Sequence, residues 1–258
     1  MIAFEQRDNV GWLARSSASG DRPAINLNTG SLRSRRGRFH WDEFGVGDVW
    51  TWVAIDADTK LVPSWLVGSR DSYSAANFVE DLSKRLAHRV QITSDGHSPY
   101  LEAIEGAFGW DVDYAMLVKL YGKEEHPKET RCSPAKCLGY HKRNVTGDPD
   151  PSHISTSFVE RSNLTMRMSM RRFTRLTNAF SKKVENHVYA IALHFMHYNF
   201  VRIHQTLKST PAMRVGVTDH LWSIEEIVDL LPPLKYNTRP RKQIKLTHYR
   251  LQTVLSQS

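Results

Sequence analysis

Val49-Trp50-Thr51-Trp52-Val53-Ala54-Ile55 is dense in β-branched and aromatic residues, and after the polar break Asp56-Ala57-Asp58-Thr59-Lys60 a second such run follows, Leu61-Val62-Pro63-Ser64-Trp65-Leu66-Val67. Two runs of strand composition joined by turn residues predict an antiparallel hairpin. Pro63 has no N–H to give to a ladder, which puts the second strand at an edge or on a bulge. Outward from the hairpin, Ser72 or Ser74 can cap a helix reaching about His88, with Ala75, Phe78, Val79, Leu82 and Leu86 spaced for one buried face. The apolar run Arg89-Val90-Gln91-Ile92-Thr93-Ser94, closed by Asp95, is the next strand. A hairpin, a helix and a strand in that order, with a crossover long enough for parallel addition to the same sheet, predict an α/β fold.

Residues 99–108 read as a short helix, 112–118 as a further strand, and 121–157, rich in Lys, His, Gly and Pro, as a long surface excursion. Two long helical patterns follow, from Phe158 to about Phe180 and from Lys182 to about Phe200; further on, Ser223 and Glu226 are spaced for a capping box. Residues 1–44 lack sustained periodicity and carry the arginine-rich stretch Ser31-Leu32-Arg33-Ser34-Arg35-Arg36-Gly37-Arg38, which predicts a poorly ordered basic segment. The core then spans 45–231, and 232–258 is a basic tail in which Lys235 to Arg250 holds six Lys or Arg and no acid.

The 258 residues suffice for one substantial domain with a buried core. With 35 Lys and Arg against 27 Asp and Glu, the formal charge of +8 favours a polyanionic partner, nucleic acid being the commonest. Two cysteines, Cys132 and Cys137, cannot build a disulfide framework, and with His126, His141 or His153 they do not assemble four zinc ligands at familiar spacings. No signal-like segment or apolar run of membrane-spanning length occurs, so the expected setting is cytoplasmic, away from membranes.

Cutting a phosphodiester requires an activated oxygen nucleophile and neutralisation of the leaving oxygen, which carboxylate-held Mg²⁺ or Mn²⁺ supplies. Asp95 at a strand end and Glu160 at a helix start are the candidates for such ligands. Positions 160, 163, 167 and 171 recur on nearly one helical face, reading Glu, Asn, Arg, Arg, and from Glu160 to Lys183 there are seven Lys or Arg and one acid. Leu164, Met168 and Phe173 are expected to bury another side of that helix, leaving the basic side outward. His194, His197 and His204 are expected to be core or surface hydrogen-bonders rather than metal ligands.

Four stretches resemble the DDE transposases of bacterial insertion sequences, especially the insertion-sequence-one group. They are Gly47-Asp48-Val49-Trp50-Thr51-Trp52-Val53-Ala54-Ile55-Asp56, Thr93-Ser94-Asp95-Gly96-His97, Thr156-Ser157-Phe158-Val159-Glu160-Arg161-Ser162-Asn163-Leu164 and Tyr198-Asn199-Phe200-Val201-Arg202-Ile203-His204-Gln205-Thr206-Leu207. The resemblance implies an RNase H-like integrase core, a mixed sheet flanked by helices, with residues 121–157 inserted before the catalytic helix.

It also implies a polynucleotidyl transferase that cuts DNA at element ends and joins the 3′-OH to a target, with Asp95 and Glu160 as catalytic metal ligands for Mg²⁺ or Mn²⁺. Asn163, Arg167, Arg171 and Arg172 would contact DNA, and the chain would self-associate in the DNA complex. The first acidic ligand of the pattern has no evident counterpart; Asp48 and Asp56 are the substitutes at hand. The first forty-odd residues accordingly read as an aberrant start, as from a truncated or frameshifted copy. Two alternatives stand beside the transposase: a non-catalytic DNA-binding remnant, and a metal-dependent nuclease of the same fold.

Overall fold

The computed structural model describes residues 23–28, 34–39, 47–122, 137–173 and 184–230. Seven strands form one sheet: β1 (Ala24–Asn28), β2 (Ser34–Phe39), β3 (Gly47–Asp56), β4 (Trp65–Gly68), β5 (Val90–Asp95), β6 (Val112–Tyr121) and β7 (Cys137–Thr146). The helices are α1 (Ser72–Ser83), α2 (Pro99–Phe108), α3 (Ser157–Ser169), α4 (Val184–Met196), α5 (Pro211–Arg214) and α6 (Ile224–Asp229). None of the described helices is long and apolar enough to cross a membrane.

The predicted hairpin is β3 and β4, antiparallel with Trp52 opposite Leu66. Its second strand is shorter than expected: residues 61–64 precede β4 and attach to β3 only through hydrogen bonds from Ala54 N–H to the Ser64 carbonyl (3.0 Å) and from Asp56 N–H to that of Leu61 (2.9 Å). β1 runs antiparallel to β3 and parallel to β5, and β5 runs parallel to β6. An antiparallel half and a parallel half thus share the central strand β1, the mixed sheet flanked by helices expected of an RNase H-like core.

Helices cover both faces. α1 and α2 pack through Ala75, Phe78, Val79, Leu82, Tyr100 and Ile104 on Ile25, Leu27, Trp52, Val90, Ile92 and Tyr114. Trp52 is fully buried at the centre of this layer, and its indole N–H is satisfied by the Ser69 carbonyl at 3.1 Å. Removing so large an apolar surface from water stabilises the fold by about 2–3 kcal/mol at this one position. On the other face, Val159 and Met166 of α3 and Ile191 and Phe195 of α4 pack on Val53 and Ile55. The cap of α1 is Asp71 rather than Ser72 or Ser74; its carboxylate accepts from Ser74 N–H at 2.8 Å. The capping box of Ser223 and Glu226 is present as expected.

Three expectations are corrected. Of the segment read as poorly ordered, the described residues form β2 and the central strand β1, while the rest of it and the tail at 232–258 lie outside the described residues; Ala-Ile-Asn-Leu-Asn alternates over only five residues, too few for periodicity to register, and takes its stability from strands on both sides. The excursion at 121–157 contains β7, which extends the sheet antiparallel to β6. Its polar composition suits an edge strand, exposed along much of its length and held by backbone pairing rather than burial.

The helix from Phe158 does not reach Phe180. It ends at Ser169, Met170 is extended, and Arg171–Phe173 forms a separate 3-10 turn. Within α3 the buried residues are Val159, Ser162, Asn163 and Met166, whereas Leu164 and Met168 are exposed. The helix has therefore chosen the face that carries Val159 and Met166 for the sheet. The second long pattern begins, among the described residues, at Val184 and loosens to a π-helical turn at His197–Val201.

Candidate active site

Alternation along each strand assigns residues to a face. Ile25, Leu27, Val90, Ile92, Val112, Tyr114 and Met116 belong to the α1/α2 layer. Their neighbours Asn26, Thr93, Asp95, Ala115, Leu117 and Lys119 therefore turn to the opposite face, where Ala115 and Leu117 meet Ile154 just before α3. The register sets their level: Asn26 is opposite Thr93, and Asp95 is opposite Leu117.

Asp95 is the last residue of β5, where the chain turns into Gly96 and His97. Its Oδ1 accepts the His97 N–H at 3.2 Å, a turn bond that orients the carboxylate. Burial first, and then the nearby Asp95 charge, push the Tyr114 phenol up to about 12, with the Ser94 hydrogen bond opposing. Burial also lowers His97 below its ordinary value, Arg70 adding to the shift and Asp95 resisting it.

Glu160 stands in the first turn of α3, where a carboxylate is also favoured by the helix dipole. Its Oε1 accepts from Thr156 Oγ1 at 2.8 Å and from Lys119 Nζ at 2.5 Å. Lys119 lies one strand across and two residues along from Asp95, roughly 8 Å between backbone positions by strand geometry. The two predicted ligands are thus linked through β6: Asp95 lies across from Leu117, and Lys119, two residues on, binds Glu160.

Asn26 adds a feature that sequence reasoning missed. It is fully buried on that same face, and neither its Nδ2 nor its Oδ1 finds a hydrogen-bond partner among the described residues. An unsatisfied buried amide costs about 1–3 kcal/mol.

The implied divalent cation can be tested against this donor set. Among the described residues no three His, Cys, Asp or Glu side chains come together around a metal position. The oxygens on offer are the Asp95 and Glu160 carboxylates and the orphaned Asn26 Oδ1. Hard oxygen donors of this kind suit one Mg²⁺ or Mn²⁺ with water filling its remaining positions; they are too few in charge for a pair of ions.

Asp56 does not supply the missing carboxylate. It pairs with Ile25 at the far end of β1 and shares the face of Trp52 and Ala54, opposite to Asp95. Its oxygens close the hairpin turn instead, accepting from Asp58 N–H (3.2 Å), Thr59 N–H (3.3 Å) and the Thr59 hydroxyl. Burial raises its pKa while these bonds pull it back. Asp48 lies five positions before Val53, the partner of Asn28, so its backbone sits roughly 17 Å beyond the end of β1.

The predicted DNA contacts divide. Asn163 is 4% exposed, on the buried side of α3 rather than on its outer face. Arg167 is partly exposed on α3, while Arg171 and Arg172 belong to the 3-10 turn, so the single face counted from Glu160 ends at Arg167. β7, in what read as a loop, adds exposed Lys142 opposite Leu117 on the site's face and exposed Arg143 opposite Met116 on the other face. His194 is half-buried: desolvation, with His197 and Arg202 nearby, lowers it to about 4, and its ring lies 6.4 Å from that of Tyr198 in a stacked arrangement. Cys137 is exposed and Cys132 lies outside the described residues.

No protein-family model and no curated protein matches the chain. Among solved structures, a chain of the simian T-cell lymphotropic virus intasome in complex with PP2A regulatory subunit B56 gamma aligns with TM-score 0.43 and 12% identity over 76% of this chain and 55% of its own length. A chain of the piggyBac transposase synaptic complex with hairpin DNA aligns with TM-score 0.32 and 14% identity over 67% of this chain and 44% of its own. The chain therefore spans about half the length of either, and the strand order, not these loose likenesses, identifies its architecture.

Proposed function

We propose that this chain is a DNA-transposition protein of bacterial insertion-sequence type, a cytoplasmic polynucleotidyl transferase that cleaves DNA at element ends and joins the freed 3′-OH to target DNA. What supports this reading is that Asp95 closes β5 opposite Leu117, two residues before the Lys119 whose ammonium group binds Glu160 at the start of α3. Mg²⁺ or Mn²⁺ bound there by the two carboxylates, with Asn26 Oδ1 as a neutral third donor, would polarise the scissile phosphate and acidify a bound water. The protein's own part is positional. The His97 N–H orients Asp95, Thr156 orients Glu160, and Arg167, Arg171 and Arg172 draw the phosphate backbone toward them. Joining two ends requires more than one such site, hence self-association on DNA.

A second reading is favoured by two observations. The buried residue beside Thr93 is an amide rather than a carboxylate, and Glu160 is already engaged by an ammonium group. A chain so equipped could bind DNA without cutting it, as a remnant of a transposase. Mn²⁺-dependent cleavage and joining on element-end DNA, with Asp95→Ala and Glu160→Ala alongside, tests both. Metal-dependent joined products lost in both variants support the transferase. Cleavage without joining identifies a nuclease, and steeply salt-dependent binding with no cleavage identifies the remnant.

A further inference from the structure

We propose that Lys119 is a resident counter-ion of this site, its ammonium group competing with a divalent cation for the Glu160 carboxylate. The inference rests on the reading of Asp95 and Glu160 as cation ligands and adds a competitor built into the chain.

The placement of Lys119 argues against an ordinary surface pair. Ala115 and Leu117 precede it on the same face of β6 and are buried, so the strand delivers its side chain at the edge of a covered layer. The Lys119 and Glu160 side chains are 33% and 40% exposed; those of Lys84 and Glu80, a pair one helical turn apart on α1, are 66% and 60% exposed. Lys119 and Glu160 come from different elements, β6 and α3, and their bond closes the space between strand and helix. Thr156 donates to the same Oε1 that Lys119 uses, so this oxygen is held by two donors at once. A Mg²⁺ ion approaches its oxygen ligands to about 2.0–2.1 Å and carries twice the charge of an ammonium. On Oε1 it takes the place of the Lys119 hydrogen bond, and on Oε2 it sets its charge beside the ammonium group; either way the two cations repel and the amine is driven from Glu160. Lys119 is in this view a positioning residue, fixing Glu160 before the ion is bound.

The test is Mn²⁺ affinity, read from the electron paramagnetic resonance signal of free Mn²⁺ at constant ionic strength and without DNA. Lys119→Met is expected to bind Mn²⁺ roughly two- to fivefold more tightly than the unaltered chain, the range set by the modest worth of partly exposed ion pairs. Lys119→Arg, which keeps the charge, stays near the unaltered affinity, and Glu160→Gln loses saturable binding. Lys119→Gln serves as a second neutral variant should the methionine substitution impair folding, as judged by thermal unfolding. Saturable binding that is unchanged or weaker in the neutral variants overturns the proposal and leaves the cation site standing. No saturable binding in any form overturns both.

Discussion

Asn199 and Val62, 137 residues apart in sequence, exchange two buried hydrogen bonds: Nδ2 donates to the Val62 carbonyl at 3.0 Å and the Val62 N–H donates to Oδ1 at 3.1 Å. The amide side chain thus does for the segment before β4 what a neighbouring strand would do, and ties the π-helical turn to the hairpin. Asn199→Ala leaves both backbone groups buried and unpaired, and is expected to destabilise the fold by roughly 1–3 kcal/mol. Asn199→Asp should cost more, since it loses the donor and brings a charge. Urea unfolding midpoints measure both; a shift within error for either variant would remove this role.

Asp56 offers a contrast with Asp95. Burial raises its pKa, so between its ordinary and its raised value the folded state binds more proton than the unfolded one, and stability falls as pH rises through that window. Asp56→Asn removes the buried charge and keeps one of the two accepting oxygens, the one toward Asp58 N–H or the one toward Thr59. We expect equal or greater thermal stability and unchanged DNA chemistry, whereas Asp95→Asn should reduce any metal-dependent activity. A loss of Mn²⁺ binding in Asp56→Asn would contradict the turn assignment.

Two histidines set an acid limit. His187 and His194 are each lowered to about 4, chiefly by burial. The unfolded chain takes up these protons near pH 6.5, before the folded one does, so stability present above that value declines as pH falls from about 6.5 toward 4. His194→Leu should flatten part of this decline in unfolding curves taken at pH 7.5, 6 and 5. Asp71 and Asp150, both lowered by hydrogen bonds from nearby N–H groups, act in a separate window below their ordinary carboxylate value.

DNA binding should weaken linearly in log–log plots against salt. Replacing Arg167, Arg171 or Arg172 by Ala is expected to reduce that slope by about 0.9 for each phosphate the arginine had neutralised. An unchanged slope in all three would move the DNA path elsewhere, with Lys142 of β7, exposed on the site's face, the next residue to replace.

The parts of this fold that were legible in sequence are those whose own composition repeats over a long enough window. The β3/β4 hairpin, the apolar stripe of α1 and the run ending at Asp95 announce themselves without their neighbours. β1 and β7 do not, because one is short and Asn-bearing and the other is polar; both are strands by virtue of what they pair with. The facing of α3 was misread for a related reason. Leu164 and Met168 count as apolar in any one-dimensional tally, but the sheet receives Val159 and Met166, and that choice carries Asn163 inward. Asp95 and Glu160 could be proposed because each stands at an element boundary. Lys119 and Asn26 could not, since an isolated lysine or asparagine in a strand acquires meaning only from the residues across from it.

The five residues of β1 are the seam between the antiparallel and parallel halves of the sheet. Deleting the stretch through Asn28 would do more than trim an end: it would strip β3 and β5 of the ladder between them, baring two rows of backbone donors and acceptors together with the apolar layer under Trp52. A shortened product starting after that point should then be recovered as aggregate rather than as a smaller folded protein.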